Sequence, residues 1–243
     1  MSGNDEIPAR IGALVKTSLV DYPGRVAAAV FCRGCNLRCP YCYNAELVTG
    51  ALSDDEAVTV DQILAHLEKR KNVLTGFVLS GGEPLLCPVA AELVSTARKL
   101  GYHIKLDTNG ILPEKLAAFI DSPDLQPDFI ALDVKTAPVR YGMLAPSSDP
   151  GLAARLLQSI KLVSVLPAER REFRTVLVPS LVTKNDIAEI AAALPKDAAW
   201  KFAPFKPGNC LEPSYNESIL YNDREMAELV AYARKFVPGA ELR

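Results

Sequence analysis

Residues 25–42 read RVAAAVFCRGCNLRCPYC, an apolar run that leads into four cysteines within its last eleven positions. The small and β-branched residues of 25–32 predict a buried β-strand, and this strand runs directly into the cysteine-rich loop. In α/β folds, reactive side chains gather where strands end and loops begin. This stretch therefore indicates both a fold class and the position of a site.

Strands and helices alternate along the rest of the chain. Further strands are predicted over residues 76–80, 102–108, 128–135, 172–178 and 199–205. Helices are predicted over residues 59–71, 87–101, 113–120, 149–163, 185–194 and 222–237. Such alternation favours a parallel sheet with right-handed crossovers. Six strands are too few for a full eight-unit barrel, so either a curved, incomplete barrel or a doubly wound sheet is expected.

Polar residues at three helix starts predict where those helices begin. Thr59 with Gln62, and Asn222 with Glu225, have the spacing of a capping box, in which each residue's side chain bonds the backbone N–H of the other. Asn185 is the predicted cap of the helix over residues 185–194.

The composition is that of an ordinary soluble protein, with 49% hydrophobic and 23% charged residues. The length of 243 residues suits a single domain, with a short N-terminal extension of about 1–24 and a C-terminal helix of about 222–237. The 27 basic and 29 acidic residues give a net charge of −2, which argues against a nucleic-acid partner or a membrane surface.

The expected location is the cytoplasm. The first ten residues, MSGNDEIPAR, are polar and contain no apolar stretch of signal-peptide type. No apolar run approaches the roughly 18 residues of a membrane span. Cysteines in the cytoplasm are kept reduced, so a tight cysteine cluster indicates metal binding or redox chemistry rather than disulfides.

Cys35, Cys39 and Cys42 follow the spacing C-x3-C-x2-C. Three thiolates on one short loop can wrap an iron–sulfur cube and leave its fourth iron open to another ligand. A structural zinc site is the alternative, but zinc usually takes four ligands as two separated pairs, and no second pair follows here. Zinc bound by all four cysteines of the loop, Cys32 included, stays open as an alternative.

Chemically unusual motifs lie at the other strand ends as well. They are SGGEP (80–84), LDTNG (106–110), LDVK (132–135), FRTVLVP (173–179) and FAPFKPGN (202–209). Because the C-terminal ends of parallel strands meet at one rim, we expect the polar side chains of these motifs to form one site.

Two motifs together resemble those of the radical S-adenosylmethionine (SAM) enzymes: the cysteine spacing with an aromatic before the last cysteine, and the Gly-Gly-Glu-Pro loop. The resemblance covers residues from about 12 to 208. The resemblance implies an α/β fold of the partial (β/α)6 TIM-like barrel type. It also implies a 4Fe–4S cluster held by Cys35, Cys39 and Cys42, with SAM bound through its amino and carboxylate groups at the open iron. In that family one electron cleaves SAM to methionine and a 5′-deoxyadenosyl radical, which abstracts hydrogen from the substrate. Cys32 is then left to pack in the core.

The same resemblance implies SAM contacts outside the cysteine triad. Tyr41 would pack near the adenine. Gly81 and Gly82 would let the ligand approach the backbone, and the carboxylate of Glu83 would pair with the SAM ammonium group. Ordinary structural roles are the alternative, with Tyr41 as a loop aromatic that covers the barrel end and Glu83 as an acid at a helix start.

The motifs LDTNG and LDVK resemble the glycyl-radical-enzyme activating enzymes, such as the activator of pyruvate formate-lyase. Residues 18–25, SLVDYPGR, are most similar to the activating proteins of anaerobic ribonucleoside-triphosphate reductase. The resemblance implies a monovalent cation near Asp107 and Asp133, and contacts at or beside the SAM carboxylate from Thr108, Lys135 and Arg174. The alternative is that Asp107 and Asp133 are ordinary acids at strand ends, either exposed or paired with nearby lysines.

The function implied by the resemblance is the activation of another enzyme. Hydrogen would be abstracted from a glycine of a partner glycyl radical enzyme, with reduced flavodoxin or ferredoxin as the electron donor. Two positions depart from the activator pattern: Tyr43 stands where a histidine is frequent, and residues 205–208 (FKPG) replace a histidine that reaches the ribose in the pyruvate formate-lyase type. The alternatives are radical SAM chemistry on a small molecule or peptide, and a zinc-stabilised binding module without catalysis.

Overall fold

The computed structural model describes residues 10–53 and 55–243. Its strands are β1 Arg10–Ser18, β2 Ala27–Cys32, β3 Val58–Thr59, β4 Gly76–Gly81, β5 His103–Thr108, β6 Phe129–Asp133, β7 Arg171–Leu177, β8 Trp200–Pro204 and β9 Ala240–Leu242. Its α-helices are α1 Ala45–Thr49, α2 Val60–Arg70, α3 Ala90–Lys99, α4 Pro113–Asp121, α5 Leu152–Ser164, α6 Lys184–Ala193 and α7 Asp223–Arg234. Short 3-10 helices lie at Pro84–Leu86, Pro138–Leu144, Ala168–Arg170 and Pro213–Glu217.

The strands of the described residues form one sheet in the order β3-β1-β2-β4-β5-β6-β7-β8-β9. From β2 to β9 the neighbours are parallel, whereas β1 runs antiparallel to both β2 and β3. The parallel strands follow one another in chain order, without the reversal that defines a doubly wound sheet. Right-handed crossovers then place the helices on one face, which is the winding of a barrel. Within the described residues, β3 and β9 are the two edge strands and do not pair with each other, so the sheet stays open and the expected partial barrel forms.

The two faces of the sheet pack differently. On β2, Ala28 and Val30 belong to the large apolar core of the molecule. Ala27 and Ala29, which alternate with them, belong to a smaller cluster with Val78 of β4. Because successive side chains of a strand point to opposite faces, the smaller cluster lies on the inner face of the sheet, away from the large core.

All six predicted strands form, but β1, β3 and β9 were not predicted. The described part of the expected N-terminal extension, from Arg10 onward, includes β1 and so belongs to the sheet. Its second half, from Val15 to Thr17, is exposed and lacks the alternation of a half-buried strand. Residues 1–9 of the extension lie outside the described residues. β3 and β9 have only two and three residues, which is too short for a pattern to show.

Two of the three predicted helix caps form, and one prediction was wrong. The capping boxes of Thr59 and Asn222 both form. α6 begins one residue earlier than predicted, because Thr183 is its cap: its hydroxyl accepts the Asp186 N–H, and Asp186 accepts the N–H of Thr183. Asn185 therefore lies in the first turn of α6. α7 ends at Arg234, three residues before the predicted end. No helix in residues 10–53 or 55–243 has the length and apolarity to cross a bilayer.

Candidate functional site

A cavity of about 320 Å3 lies at the C-terminal ends of the parallel strands. Its volume is within the range of small-molecule sites, about 300–1000 Å3. The walls include every predicted site residue except Glu83: Cys35, Cys39, Tyr41, Cys42, Gly81, Gly82, Asp107, Thr108, Asp133, Lys135 and Arg174. The structure thus brings together side chains from the ends of β2, β4, β5, β6 and β7, as the strand-end argument predicts.

The cysteine loop is held by backbone hydrogen bonds to several parts of the molecule. The N–H of Gly34 donates to Leu47 of α1 at 2.8 Å, and the N–H of Arg38 donates to Leu144 at 2.7 Å. On the other side, the carbonyl of Cys42 accepts the Leu211 N–H at 3.0 Å. These bonds fix the backbone from which the three cysteines project.

The three cysteines differ in burial. Cys39 is 6% exposed, and burial raises the pKa of its thiol to about 12. Burial also raises the pKa of Cys35. Because thiolates are the metal-binding form, metal uptake at this loop must displace protons.

Cys32 lies apart from the other three cysteines of the loop. It is fully buried at the end of β2, is absent from the cavity wall and belongs to the large core. A hydrogen bond with the Cys87 side chain, followed by burial, raises the pKa of Cys32. This position agrees with the packing role expected of Cys32. Within the described residues, no three His, Cys, Asp or Glu side chains are arranged to hold a single metal ion.

Gly81 and Gly82 touch the cysteine loop as well as the cavity. Gly81 has a φ of +113°, and a Cβ there would lie 2.2 Å from the backbone nitrogen of Cys32. A Cβ on Gly82 would lie 2.0 Å from the carbonyl oxygen of Gly34. The loop after β4 also donates the Gly82 N–H to Cys32 and the Glu83 N–H to Gly34, both at 2.8 Å. The glycines are therefore needed for two backbones to lie against each other, a reason that sequence reasoning had not supplied.

Glu83 is the one predicted contact that the structure does not place in the cavity wall. Its side chain is fully buried and accepts three hydrogen bonds: from Leu85 N at 3.1 Å, Thr108 Oγ1 at 2.9 Å and Asn109 N at 2.8 Å. Burial raises the pKa of Glu83 to about 7, against the lowering effect of these bonds. In this arrangement the carboxylate joins the loops after β4 and β5 rather than facing a ligand.

Asp107 and Asp133 are joined by Arg174. Its Nε donates to Asp133 Oδ1 at 2.6 Å and its Nη1 to Asp107 Oδ2 at 3.2 Å. Lys135 Nζ lies 3.3 Å from Asp133, and Lys105 forms a buried ion pair with Asp107. Burial alone would raise the pKa of Asp133, but the cations Arg174 and Lys135 lower it to about 2.

Three protein cations thus surround these two carboxylates. The lysine pairs weighed as an alternative do form, and Asp107 and Asp133 also line the cavity. The expected monovalent cation stays a prediction.

Tyr41 supports the presence of a polar ligand in the cavity. The residue is 4% exposed, and its hydroxyl has no hydrogen-bond partner within the described residues. Its ring packs edge-on against Phe205, with centroids 6.1 Å apart. A buried hydroxyl without a partner costs about 1–3 kcal/mol, so a bound group that satisfied it would be stabilised. With three thiols in the same wall, the residues present fit an iron–sulfur cluster and a polar ligand beside it.

Several cavity residues were missed by sequence reasoning. Ser80 donates to Asp107 at 2.9 Å, and Asn109 lies beside Cys35; both stand inside motifs that were singled out, next to residues that were chosen. Lys201 and Arg243 also line the cavity, and no motif marked them.

Comparison with known proteins places the chain in a family. The model of the Radical SAM superfamily matches residues 29–194. A Methanocaldococcus jannaschii protein, provisionally named a glycyl-radical enzyme activating enzyme, is 27% identical over 238 residues, which cover 97% of this chain and 96% of that protein. The pyruvate formate-lyase-activating enzyme of Clostridium pasteurianum is 30% identical over 134 residues, or 53% of each chain.

Solved structures agree on the fold. SuiB of Streptococcus suis, bound to S-adenosylmethionine, superimposes with a TM-score of 0.62 at 16% identity, over 88% of this chain and 48% of SuiB. At this identity the likeness concerns the fold alone, and it supports the partial barrel. Since the family match covers more than half of the 243 residues and agrees with this fold, the chain belongs to the radical SAM superfamily, which implies a 4Fe–4S cluster and S-adenosylmethionine as its cofactors.

Proposed function

We propose that this protein is a glycyl-radical-enzyme activating enzyme whose partner is of the anaerobic ribonucleotide reductase type. The observation that carries the proposal is the likeness to the Methanocaldococcus jannaschii protein, which extends over 97% of this chain and 96% of that one. The relative from Clostridium pasteurianum, a pyruvate formate-lyase-activating enzyme, supports the same class.

In this proposal Cys35, Cys39 and Cys42 hold three irons of a 4Fe–4S cluster, since all three line the cavity and no other cysteine does. When bound and reduced, the cluster would supply one electron to SAM, whose sulfonium C–S bond would break to give methionine and a 5′-deoxyadenosyl radical, the species that takes hydrogen from the partner's glycine. The remaining side chains bind and orient SAM.

The SAM carboxylate is assigned to Lys135 and Arg174. Lys135 Nζ has three donors and uses one on Asp133, which leaves donors for a ligand in the cavity that it lines. Arg174 uses Nε and Nη1 on the two aspartates, and its Nη2 has no partner among the described residues. The pairing with these cations keeps the two aspartates charged, so they hold the positive side chains in place beside the ligand.

Glu83 is assigned a supporting role. Its fully buried carboxylate is occupied by three protein donors. We therefore propose that it acts on the SAM ammonium group only through the position of the Gly81–Gly82 backbone. Reduced flavodoxin or ferredoxin as electron donor, and the cytoplasm as location, complete the proposal.

The decisive experiment is anaerobic reconstitution followed by reaction with a partner. The protein, reduced and supplied with SAM, is mixed with glycyl radical enzymes from the same organism, and electron paramagnetic resonance detects a glycyl radical. Deuterium placed on the partner's glycine is expected in the 5′-deoxyadenosine product.

Each contrary result favours a different function. SAM cleavage without a glycyl radical on any partner would favour a small-molecule or peptide substrate, and label transfer from a cell extract would identify it. A colourless protein that retains one zinc would overturn the radical chemistry altogether.

A further inference from the structure

Asn109 follows Thr108 in the loop after β5 and lies in the cavity wall, yet none of the expected ligand contacts involves it. The residue is 3% exposed. The amide nitrogen Nδ2 lies 2.8 Å from Asn36 Oδ1 and 3.6 Å from Cys35 Sγ, so it has an acceptor for each of its two hydrogens. One of those acceptors is the sulfur of a proposed cluster ligand.

The orientation of this amide is fixed from three sides. The side-chain oxygen of Asn109 accepts the Ile111 N–H at 3.0 Å, which excludes the flipped amide because the flip would set two donors against each other. The backbone N–H of Asn109 donates to the buried Glu83 carboxylate at 2.8 Å. Asn36, which accepts the other amide hydrogen, lies in the cysteine loop itself. The N–H that faces Cys35 is therefore held in place before any metal binds.

The hydrogen bonding of the three cysteines is unequal. Cys35 Sγ also accepts the backbone N–H of Leu37 at 3.4 Å, which gives it two N–H donors. Within residues 10–53 and 55–243, no hydrogen bond reaches the sulfur of Cys39 or Cys42. One of the three cysteine sulfurs thus has hydrogen-bond donors, and the other two have none among the described residues.

We infer that Asn109 is a positioning residue for the iron–sulfur cluster, which raises the reduction potential of the cluster through its N–H···S bond to Cys35. An N–H donor stabilises negative charge on sulfur, and the reduced cluster carries one more negative charge than the oxidised cluster. The bond is therefore stronger in the reduced state and favours electron uptake. The inference rests on the cluster of the proposed function but not on the identity of the partner.

The test is a redox titration of reconstituted protein, with the reduced cluster followed by electron paramagnetic resonance. Asn109→Leu keeps the approximate shape of the side chain and removes the donor. At the wild-type midpoint potential we expect the ratio of reduced to oxidised cluster in this variant to be about tenfold lower, a shift of about 59 mV to more negative potential. Asn44→Leu is the matched control, because it removes an amide from the same cavity wall without removing a bond to sulfur.

A second variant distinguishes an effect on the reduction potential from a folding defect. Asn109→Ser keeps an oxygen that can accept the Ile111 N–H but is too short to reach Cys35, and the same negative shift is expected. An unchanged midpoint in both variants with full iron content would overturn the inference and leave the proposed function standing. Loss of the cluster in both would also overturn it, in favour of a purely structural role. Absence of a cluster from the wild-type protein would instead defeat the proposed function.

Discussion

The carboxylate of Glu83 accepts the backbone N–H of Asn109 at 2.8 Å. This bond joins the ends of two neighbouring strands, β4 and β5, and the hydroxyl of Thr108 adds a second bond to the same carboxylate at 2.9 Å. Because the loop after β4 also lies on the cysteine loop, Glu83 connects three successive strand ends of the cavity.

Glu83→Gln tests this buried carboxylate through the pH dependence of stability. Its pKa is about 7 in the folded protein and near 4.5 when unfolded, so the folded state binds the proton more tightly. Its contribution to stability is complete below pH 4.5 and is lost as the pH rises to 7. Over that window we expect the wild-type free energy of unfolding to fall by up to roughly 3 kcal/mol more than that of the variant. Urea unfolding at several pH values measures this difference.

The control for this experiment is Glu92→Gln, which changes an exposed acid on α3. It should keep the wild-type pH profile. Parallel profiles for wild type and Glu83→Gln would show that the Glu83 carboxyl does not titrate in this window.

Gly82→Ala tests the contact between the glycine loop and the cysteine loop. The added Cβ would lie 2.0 Å from the carbonyl oxygen of Gly34, so one backbone must move. We expect destabilisation of about 1–3 kcal/mol, the usual range for overpacking, and a lower iron content after reconstitution. Gly142→Ala is the matched control, because a Cβ there meets nothing within 4 Å. Equal iron content in the two variants would contradict the proposed dependence of the cysteine loop on this contact.

Cys39→Ala tests the cluster triad. Removal of one of three thiolates is expected to abolish SAM cleavage, with 5′-deoxyadenosine measured by chromatography and iron by a colorimetric assay. Cys32→Ala is the control, since Cys32 is buried in the core and absent from the cavity wall. Turnover by the Cys39 variant, or its loss in the Cys32 variant with normal folding, would disprove this assignment of ligands.

Thr183→Ala tests the corrected start of α6. Loss of the capping hydroxyl is expected to lower the free energy of unfolding by about 1 kcal/mol. Asn185→Ala should change it by less than about 0.5 kcal/mol, because Asn185 is exposed in the first turn. Thermal unfolding of both variants decides between the two positions, and a larger effect at Asn185 would restore the original prediction.

The sequence was sufficient to predict every parallel strand except the short β9, and the rim where their polar residues meet. Buried strands such as β4 are short apolar runs bounded by turns, and parallel topology brings their ends together without any knowledge of side-chain contacts. β1 was not predicted, because its exposed second half, around Lys16, breaks the alternation of buried and exposed residues that marks a strand. Antiparallel pairing with β2, rather than its own sequence, makes this segment a strand.

Side-chain partners that come from different strands and loops were the part that the sequence could not supply. Glu83 follows two glycines of the wall, yet it turns into the interior because Thr108 and two backbone N–H groups offer it donors there. Arg174 bridges two aspartates from different strands, a contact that depends on the register between β6 and β7. Such partnerships arise from three-dimensional packing and have no local signal in the chain.

The close approach of the backbones at Gly82 and Gly34 has a consequence for protein engineering. The cysteine loop cannot be grafted onto another scaffold as an isolated peptide, because it lies against the glycine loop, a segment about fifty positions further along the chain. A transplant would have to carry both segments at their present spacing, and variants selected for a longer loop should acquire compensating changes at the glycine pair.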